Sequence, residues 1–172
     1  RILPLDCSGA CAGIATPAWT RDGRHVVFTR VIGPFDQANN SARSAVLWTS
    51  DLDGSHLKRL SEPGIDGAYE DYDASFAPAG YVVFVRVRNT DVHNAVFRMN
   101  PDGTDVRQLT PWSLSADLPS VSQATSEPTR DTVVFETYGH GAPPGLTQQV
   151  ATVRATCGSL ADCTARIRYL TS

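Results

Sequence analysis

The chain has 172 residues, of which 41% are hydrophobic and 19% are charged, and its formal net charge is −3. This length allows one domain with a sizeable core, and the small negative charge argues against nucleic acid as a partner, because that partner requires a basic face. No apolar run approaches the roughly 18 residues of a membrane-spanning helix, so we expect no membrane span.

The first predicted unit covers residues 12–61 and contains two hairpins. The run that ends in Trp19 is followed by a turn at Asp22 and Gly23 and then by HVVFTR, a β-branched run typical of a strand. AVLWTS and HLKRL form the second hairpin around DLDG, because Asp-Gly supplies the positive φ of tight turns. The unit is therefore predicted to be a four-stranded antiparallel meander.

Two further units repeat this order of strands and turns. Residues 70–110 contain YVVFVR and AVFRMN with an NPDG turn, and residues 117–171 form a looser copy in which PTRD and CGSLADC replace the Asp-Gly turns. The period of roughly 50–60 residues is that of a propeller blade. Residues 1–11 are interpreted as the end of a preceding closing strand and its connection. The aligned positions are Trp19, Phe76 and Val121; Phe28, Phe84 and Phe135; and Leu60, Leu109 and Leu170.

A Pro-Ala-Trp run, an Arg-Asp-Gly turn, an apolar strand with Phe and the sequence MNPDGTDVRQLT together resemble the TolB-type, WD-like propeller repeat. The resemblance covers most of the chain and is most specific in the second halves of the first two units. It implies an all-β fold made of β-propeller blades, with six blades in a complete propeller and three in this chain. It also implies a periplasmic binding scaffold, without naming a partner.

An array of three blades has an apolar face at each end, and such faces are unstable in water. We therefore expect either a homo-oligomer, in which the chain's own copy completes the propeller, or a fragment of a longer chain. The start at Arg1 rather than Met fits both expectations. Burial between blades is expected at five aromatic positions: Trp19, Phe28, Phe84, Phe97 and Phe135.

The meander also sorts the loops. First-to-second and third-to-fourth turns lie at one rim, here called the short-turn rim, and the longer second-to-third loops and blade connections lie at the other, the long-loop rim. Propellers act through such loops. On this rim the acidic segment 70–73 is interpreted as a solvated acidic loop; the alternatives are a calcium site and a surface for a basic peptide, and no cofactor is expected. The binding candidates are Asp66, Tyr69, Glu70, Asp71, Tyr72, Asp73, Asp91, His93, Trp112, Asp117 and His140.

Histidines offer a second candidate. His93 and His140 occupy equivalent second-to-third loops, and with Asp91 or Asp117 they could form a metal or acid–base site; the alternative is a coincidence of two loop histidines. His25 and His56 are interpreted as exposed surface. No Gly-x-Ser-x-Gly elbow, P-loop or Rossmann glycine pattern occurs in the sequence, so no catalytic residue is predicted.

The four cysteines occur as two close pairs, Cys7 with Cys11 and Cys157 with Cys163. We predict a local disulfide within each pair, because the two pairs fall at opposite rims. The alternatives are zinc binding and free or cross-paired thiols. Disulfides indicate an oxidising compartment, so an extracellular or periplasmic location is expected.

The favoured function is a secreted, non-enzymatic propeller that binds or assembles with protein. One alternative is a substrate-gating part of a larger hydrolase of the prolyl-oligopeptidase type. Another is a carbohydrate-binding propeller, which requires aromatic residues to converge on one pocket; the candidates are Tyr69, Tyr72, Trp112 and Tyr138.

Overall fold

The computed structural model describes residues 11–32, 44–62, 68–114, 120–138 and 148–171. They form three four-stranded antiparallel sheets whose strands are hydrogen-bonded in chain order, as the repeat predicts. Blade 1 contains β1 (Cys11–Trp19), β2 (His25–Ile32), β3 (Ser44–Asp51) and β4 (Lys58–Arg59). Blade 2 contains β5 (Tyr69–Phe76), β6 (Val82–Arg88), β7 (His93–Met99) and β8 (Arg107–Gln108). Blade 3 contains β9 (Ser120–Ser126), β10 (Thr132–Tyr138), β11 (Gln149–Arg154), helix α1 (Leu160–Ala165) and β12 (Arg168–Tyr169).

The predicted Asp-Gly hairpins of blades 1 and 2 share one geometry. Asp53 Oδ1 accepts the N–H of Ser55 at 2.9 Å, and Asp102 Oδ1 accepts the N–H of Thr104 at 2.9 Å. Gly103 follows Asp102 with a φ of +92°. The aspartate therefore holds the turn through its side chain, and the glycine supplies a backbone angle that other residues adopt only with strain.

Blade 3 replaces this turn with a short helix that the sequence analysis did not predict. Ser159 caps the helix by accepting the N–H of Asp162 at 3.2 Å. Cys157 and Cys163 form the predicted disulfide, which ties the helix to the end of β11. Cys7 lies outside the described residues and the side chain of Cys11 is not described, so the other predicted disulfide stays a prediction. No helix in the described part of the chain is long and apolar enough to cross a membrane.

The core consists of two layers, each between neighbouring blades. The layer between blades 1 and 2 contains Val27, Leu47, Leu60, Ala74, Val82, Phe84, Ala95, Phe97 and Met99. The layer between blades 2 and 3 contains chiefly Val83, Val85, Val96, Leu109, Val121, Ala124, Val133, Phe135, Ala151 and Val153. Phe84, Phe97 and Phe135 are buried between blades, as predicted. Phe28 is also buried, but on the face of β2 that points away from blade 2.

The predicted burial of Trp19 is wrong, since 65% of this residue is exposed. Trp19 pairs with Val26 in the same way as Phe76 pairs with Val82 in blade 2. Phe76 packs against the layer between blades 1 and 2. Trp19 faces away from blade 2, and no described blade lies on that side.

In blade 3 the residue at this aligned position is also not the one that the sequence alignment predicted. Ser126 pairs with Val133 as Trp19 pairs with Val26, so Ser126 and not Val121 occupies the slot. Val121 is buried nearer the other end of β9. The misalignment arose because blade 3 has a polar residue where blades 1 and 2 have an aromatic one.

Replacing Gly103 by alanine should destabilise the protein more than replacing Gly80. Both glycines have nearly the same φ, +92° and +88°, so both substitutions carry the left-handed strain of about 1–2 kcal/mol. A Cβ on Gly103 would lie 2.3 Å from the backbone oxygen of Leu60, whereas a Cβ on Gly80 would have no described atom within 4 Å beyond its adjacent residues. We expect a further loss of about 1–3 kcal/mol for Gly103→Ala, measured by urea unfolding; equal losses would contradict the blade contact.

Candidate functional site

The beginning of β5, the end of β6, the beginning of β7 and the segment after β8 meet at the long-loop rim of blade 2. This follows from the antiparallel register, in which Tyr69 pairs with Arg88 and Arg88 pairs with His93. The residues gathered there, called the blade 2 rim cluster, are Tyr69, Asp71, Arg86, Arg88, Asp91, Val92, His93 and Trp112.

The base of the cluster is a buried ion pair. Asp71 is fully buried, and it accepts hydrogen bonds from Arg86 Nε at 2.7 Å and Nη2 at 2.8 Å. The Arg86 guanidinium also lies 5.1–5.4 Å from the ring centroids of Tyr69, Phe84 and Phe97. A carboxylate and three ring faces thus surround this cation, which compensates for its removal from water.

The expectation of an acidic loop at residues 70–73 is wrong, because these residues belong to strand β5. Successive side chains of a strand point to opposite faces, and Asp71 faces blade 1 while Glu70 and Tyr72 face blade 3. Glu70 Oε2 accepts the Tyr72 hydroxyl at 2.7 Å. Burial and this carboxylate raise the pKa of Tyr72. Glu70 and Asp71 therefore do not share a face, and calcium binding stays a prediction.

A second ion pair lies nearer the surface. Arg88 Nε donates to Asp91 Oδ1 at 2.9 Å, and the guanidinium lies 4.7 Å from the Trp112 ring centroid. Asp91 also accepts the backbone N–H of His93 at 3.3 Å. The hydrogen bond from Arg88 is the largest cause that holds the pKa of Asp91 well below its ordinary value. His93 Nδ1 lies 3.2 Å from Asp91 Oδ2.

Aromatic rings and one exposed valine complete the cluster. Tyr69 and Trp112 stack with centroids 5.8 Å apart and planes at 12°, and Trp112 also contacts Phe97 at 5.5 Å. Val92 is 60% exposed at the tip of the β6–β7 loop and has a φ of +57°. A β-branched residue adopts this backbone angle only when its surroundings impose it, and such strain is concentrated at functional sites.

The charged groups of the rim cluster are paired with one another. Both arginines already bind a carboxylate, and no nucleophile lies beside a base in the rim cluster as described. Among the described residues no group of three or more His, Cys, Asp and Glu side chains is placed to hold a metal ion.

The structure brings together only part of the predicted binding set. Five candidates converge in the rim cluster: Tyr69, Asp71, Asp91, His93 and Trp112. Three others lie elsewhere on β5: Glu70, Tyr72 and Asp73. Asp66, Asp117 and His140 lie outside the described residues, so the pairing of His93 with His140 stays a prediction. The four aromatic candidates for carbohydrate binding do not all converge, since Tyr138 contacts Asn94 on the side of blade 3.

Sequence reasoning missed Arg86, Arg88 and Val92. The two arginines alternate with valine after Phe84. Because side chains alternate along a strand with a period of two, Phe84, Arg86 and Arg88 lie on the same face of β6. That signal could have identified the arginines. The strained valine has no comparable signal, because its backbone angle depends on how the loop is closed.

The short-turn rim of blade 1 holds another polar cluster. Asp51 lies 3.2 Å from His25 Nε2 and 2.8 Å from His56 Nδ1, through separate carboxylate oxygens. The hydrogen bond to Asp51 raises the pKa of His56 and lowers that of Asp51. His56 is exposed, as predicted, whereas His25 is only partly exposed, and the two share one carboxylate.

Comparison with known proteins shows the fold. No family model and no curated protein matches the chain. A TolB structure from Agrobacterium tumefaciens is 19% identical with a TM-score of 0.61, and 89% of this chain covers 47% of it. A chain of the nidogen/laminin complex is 15% identical with a TM-score of 0.59, and the match covers 95% of this chain and 49% of that chain. A puromycin-hydrolysing peptidase of Mycobacterium tuberculosis is 15% identical with a TM-score of 0.54, and the match covers 92% of this chain and 20% of the peptidase. The three sheets are thus propeller blades, and the chain spans about half or less of these structures.

Removing only one partner of the buried Asp71–Arg86 ion pair should destabilise the protein more than removing both. Asp71→Asn leaves Arg86 buried without its counter-charge and should destabilise the protein by about 3–5 kcal/mol. The double variant Asp71→Leu/Arg86→Met removes both charges and should recover most of that loss. Urea unfolding measures both effects, with Glu70→Gln on the opposite face as control. A single variant no worse than the control would contradict the buried pair.

Stability should depend on pH through His56. Its pKa is raised in the folded protein, so the stabilisation is fully present below the unfolded value of about 6.5 and is lost as the pH rises through the folded pKa. Unfolding of the wild type and His56→Gln between about pH 5 and pH 9 measures the difference. The curves should converge at high pH, and added salt should reduce the gap because the pair is exposed. A constant gap would refute this assignment.

Proposed function

We propose that this chain is part of an extracellular or periplasmic β-propeller that binds a protein partner through the blade 2 rim cluster and has no catalytic role of its own. The observation that carries the proposal is the convergence of an exposed valine, a tryptophan and an arginine on a rigid base. Trp and Arg are enriched among the residues that dominate binding energy at protein interfaces.

Rigidity supports this role. Arg88 is held by Asp91 and lies against Trp112 before any partner arrives. The backbone at Val92 is fixed by a hydrogen bond from its N–H to the carbonyl of Arg88 at 2.8 Å. Side chains ordered in advance lose little entropy on binding, so more of the contact energy is available as affinity.

The expected location rests on the disulfide. Cys157 and Cys163 are bonded and almost fully buried. Disulfides persist in oxidising compartments and are rare in the cytosol.

The outer face of blade 3 calls for a separate partner. Blade 2 has neighbours on both faces, and all four residues Val82–Val85 are buried. Four successive residues of β2 in blade 1 are buried in the same way, whereas burial alternates along β10 of blade 3. A copy of this chain, or further blades of a longer protein, would cover the outer face of blade 3.

A second candidate function is favoured by the kinds of structure that share the fold. They include the puromycin-hydrolysing peptidase and a dipeptidyl peptidase of Porphyromonas gingivalis, of which this chain covers 20% and 18%. In that case the blades would control access to a hydrolase domain elsewhere in the protein. A hydrolase domain in the full-length open reading frame would decide for this candidate.

The binding role can be tested with a displayed library of random peptides. Peptides enriched on the wild-type chain should bind about 10-fold or more weakly to Trp112→Ala and Val92→Ser. Val92→Ser is included because Trp112 also packs on the core, whereas Val92 is exposed. Leu57→Ala, an exposed position at the short-turn rim, should bind normally. Enriched peptides that are indifferent to the rim variants, or an unenriched library, would overturn the proposal.

A further inference from the structure

Each closing strand begins with a cation at the short-turn rim of its blade. These residues are Lys58 in β4, Arg107 in β8 and Arg168 in β12. Each pairs with a residue of the third strand that is itself paired with a valine of the second strand: Thr49, Arg98 and Thr152. The three blades therefore build the same corner, here called the closing corner. It consists of the first residue of the closing strand and the polar residues around it.

In blades 1 and 2 the closing corner contains a carboxylate of the chain itself. In blade 1, Asp51 Oδ2 lies 2.8 Å from His56 Nδ1. In blade 2, Asp105 accepts hydrogen bonds from Arg107 Nε at 2.8 Å and from Arg98 Nη1 at 3.4 Å. The basic side chains of these two corners thus have an acidic partner within their own blade.

Blade 3 carries arginine at both of these carboxylate positions. Arg154 takes the place of Asp51, because each is paired with the first residue of the second strand. Arg166 takes the place of Asp105, because each stands two residues before the first residue of the closing strand. Together with Arg168 they place three cations at a corner where the other blades have a carboxylate.

The three arginines line a single cavity of about 240 Å³. The lining consists of Thr132, Thr152, Val153, Arg154, Arg166 and Arg168. Arg166 Nε donates to Asp162 Oδ1 at 2.6 Å, which restrains that guanidinium. Within the part of the chain that the structure describes, no carboxylate forms an ion pair with Arg154 or Arg168. The cavity therefore has an excess of positive charge, and its guanidinium and hydroxyl groups are hydrogen-bond donors.

This corner stays at the surface when another blade follows. Lys58 is exposed and the side chain of Arg107 is 50% exposed, although a further blade packs against both blade 1 and blade 2. Blade 2 contacts Lys58 through the backbone carbonyl of Asp102, which accepts a hydrogen bond from Nζ at 3.0 Å. The accessibility of the blade 3 corner therefore does not depend on what covers the apolar part of its outer face.

We propose that the closing corner of blade 3 is a second binding site, which takes carboxylate side chains from an acidic segment of a protein partner. A carboxylate occupies this corner in blades 1 and 2, and the fork of an arginine matches a carboxylate through parallel N–H donors. An external carboxylate also offsets the mutual repulsion of the guanidinium groups.

The exposure of the site favours a protein segment over a small acid. Arg154, Arg166 and Arg168 are all exposed, whereas sites for small molecules enclose most of the surface of their ligand. The corner lies at the short-turn rim and the blade 2 rim cluster lies at the long-loop rim, so this second site is separate from the one proposed above.

Fluorescence anisotropy of labelled hexaglutamate, with equally labelled hexaglutamine as the uncharged control, tests the proposal. The whole chain has a net charge of −3, so binding of an acidic peptide requires a local basic site. The double variant Arg154→Gln/Arg168→Gln should weaken hexaglutamate binding about 10-fold or more. Arg130→Gln, at an arginine of the same blade that is 80% exposed outside the cavity, should leave it unchanged. Circular dichroism verifies that the variants fold.

A charge reversal tests the comparison between blades. Arg166→Asp introduces the carboxylate that blade 2 has at this position, so it should weaken hexaglutamate binding more than Arg166→Asn does. Trp112→Ala should bind hexaglutamate normally, which separates this site from the blade 2 rim cluster.

Three results would overturn the proposal. They are equal binding of hexaglutamine, equal effects of the double variant and Arg130→Gln, and an affinity for succinate or inorganic phosphate that matches the affinity for hexaglutamate. The last result would assign the corner to free anions.

Discussion

The structure depends on one constraint: a four-stranded blade has two apolar faces, and both must be covered. Blade 2 satisfies it, because β6 is buried on both sides along Val82–Val85. Blade 3 satisfies it on one side, so burial alternates along β10 and Leu170 is exposed where Leu60 and Leu109 are not. The exposure of Leu170 at the blade 3 end thus follows from the packing rule that stabilises the middle, whereas β2 of blade 1 is buried on both sides.

Within these apolar layers a few polar groups fix how the blades meet. The Asp71–Arg86 pair lies among aromatic rings at the interface with blade 1. The backbone N–H groups of Asp73 and Gln123, at register shifts of β5 and β9, donate to side chains of the preceding blade. Valine and phenylalanine faces pack in many relative positions, whereas a directional hydrogen bond is satisfied in only one. Together these bonds set the register of neighbouring blades.

The blade 2 rim cluster rests on the same frame. Its lower part, Asp71 and Arg86, belongs to the core between the blades, and its upper part, Val92 and His93, reaches the surface. The ring of Trp112 connects the two by contacting both Phe97 and Arg88. A partner that binds the upper part therefore meets a surface supported by the interior of the molecule.

The sequence by itself determined the blade, the number of repeats and the burial of Phe28, Phe84, Phe97 and Phe135, because strand alternation and Asp-Gly turns are local properties. It also indicated five of the residues that meet at the rim. Only the tertiary structure decided that Asp71 is buried against Arg86 and that Glu70 lies on the opposite face. A run of acidic residues predicts an exposed loop unless the residues that pair with it on the neighbouring strand are known. The tertiary structure likewise decided that Leu170 is exposed while Leu60 and Leu109 are buried, and that Trp19 is exposed while Phe76 is partly buried. Equal residues at equal positions of a repeat have different surroundings at the end and in the middle of an array, and only the neighbouring blades make that difference.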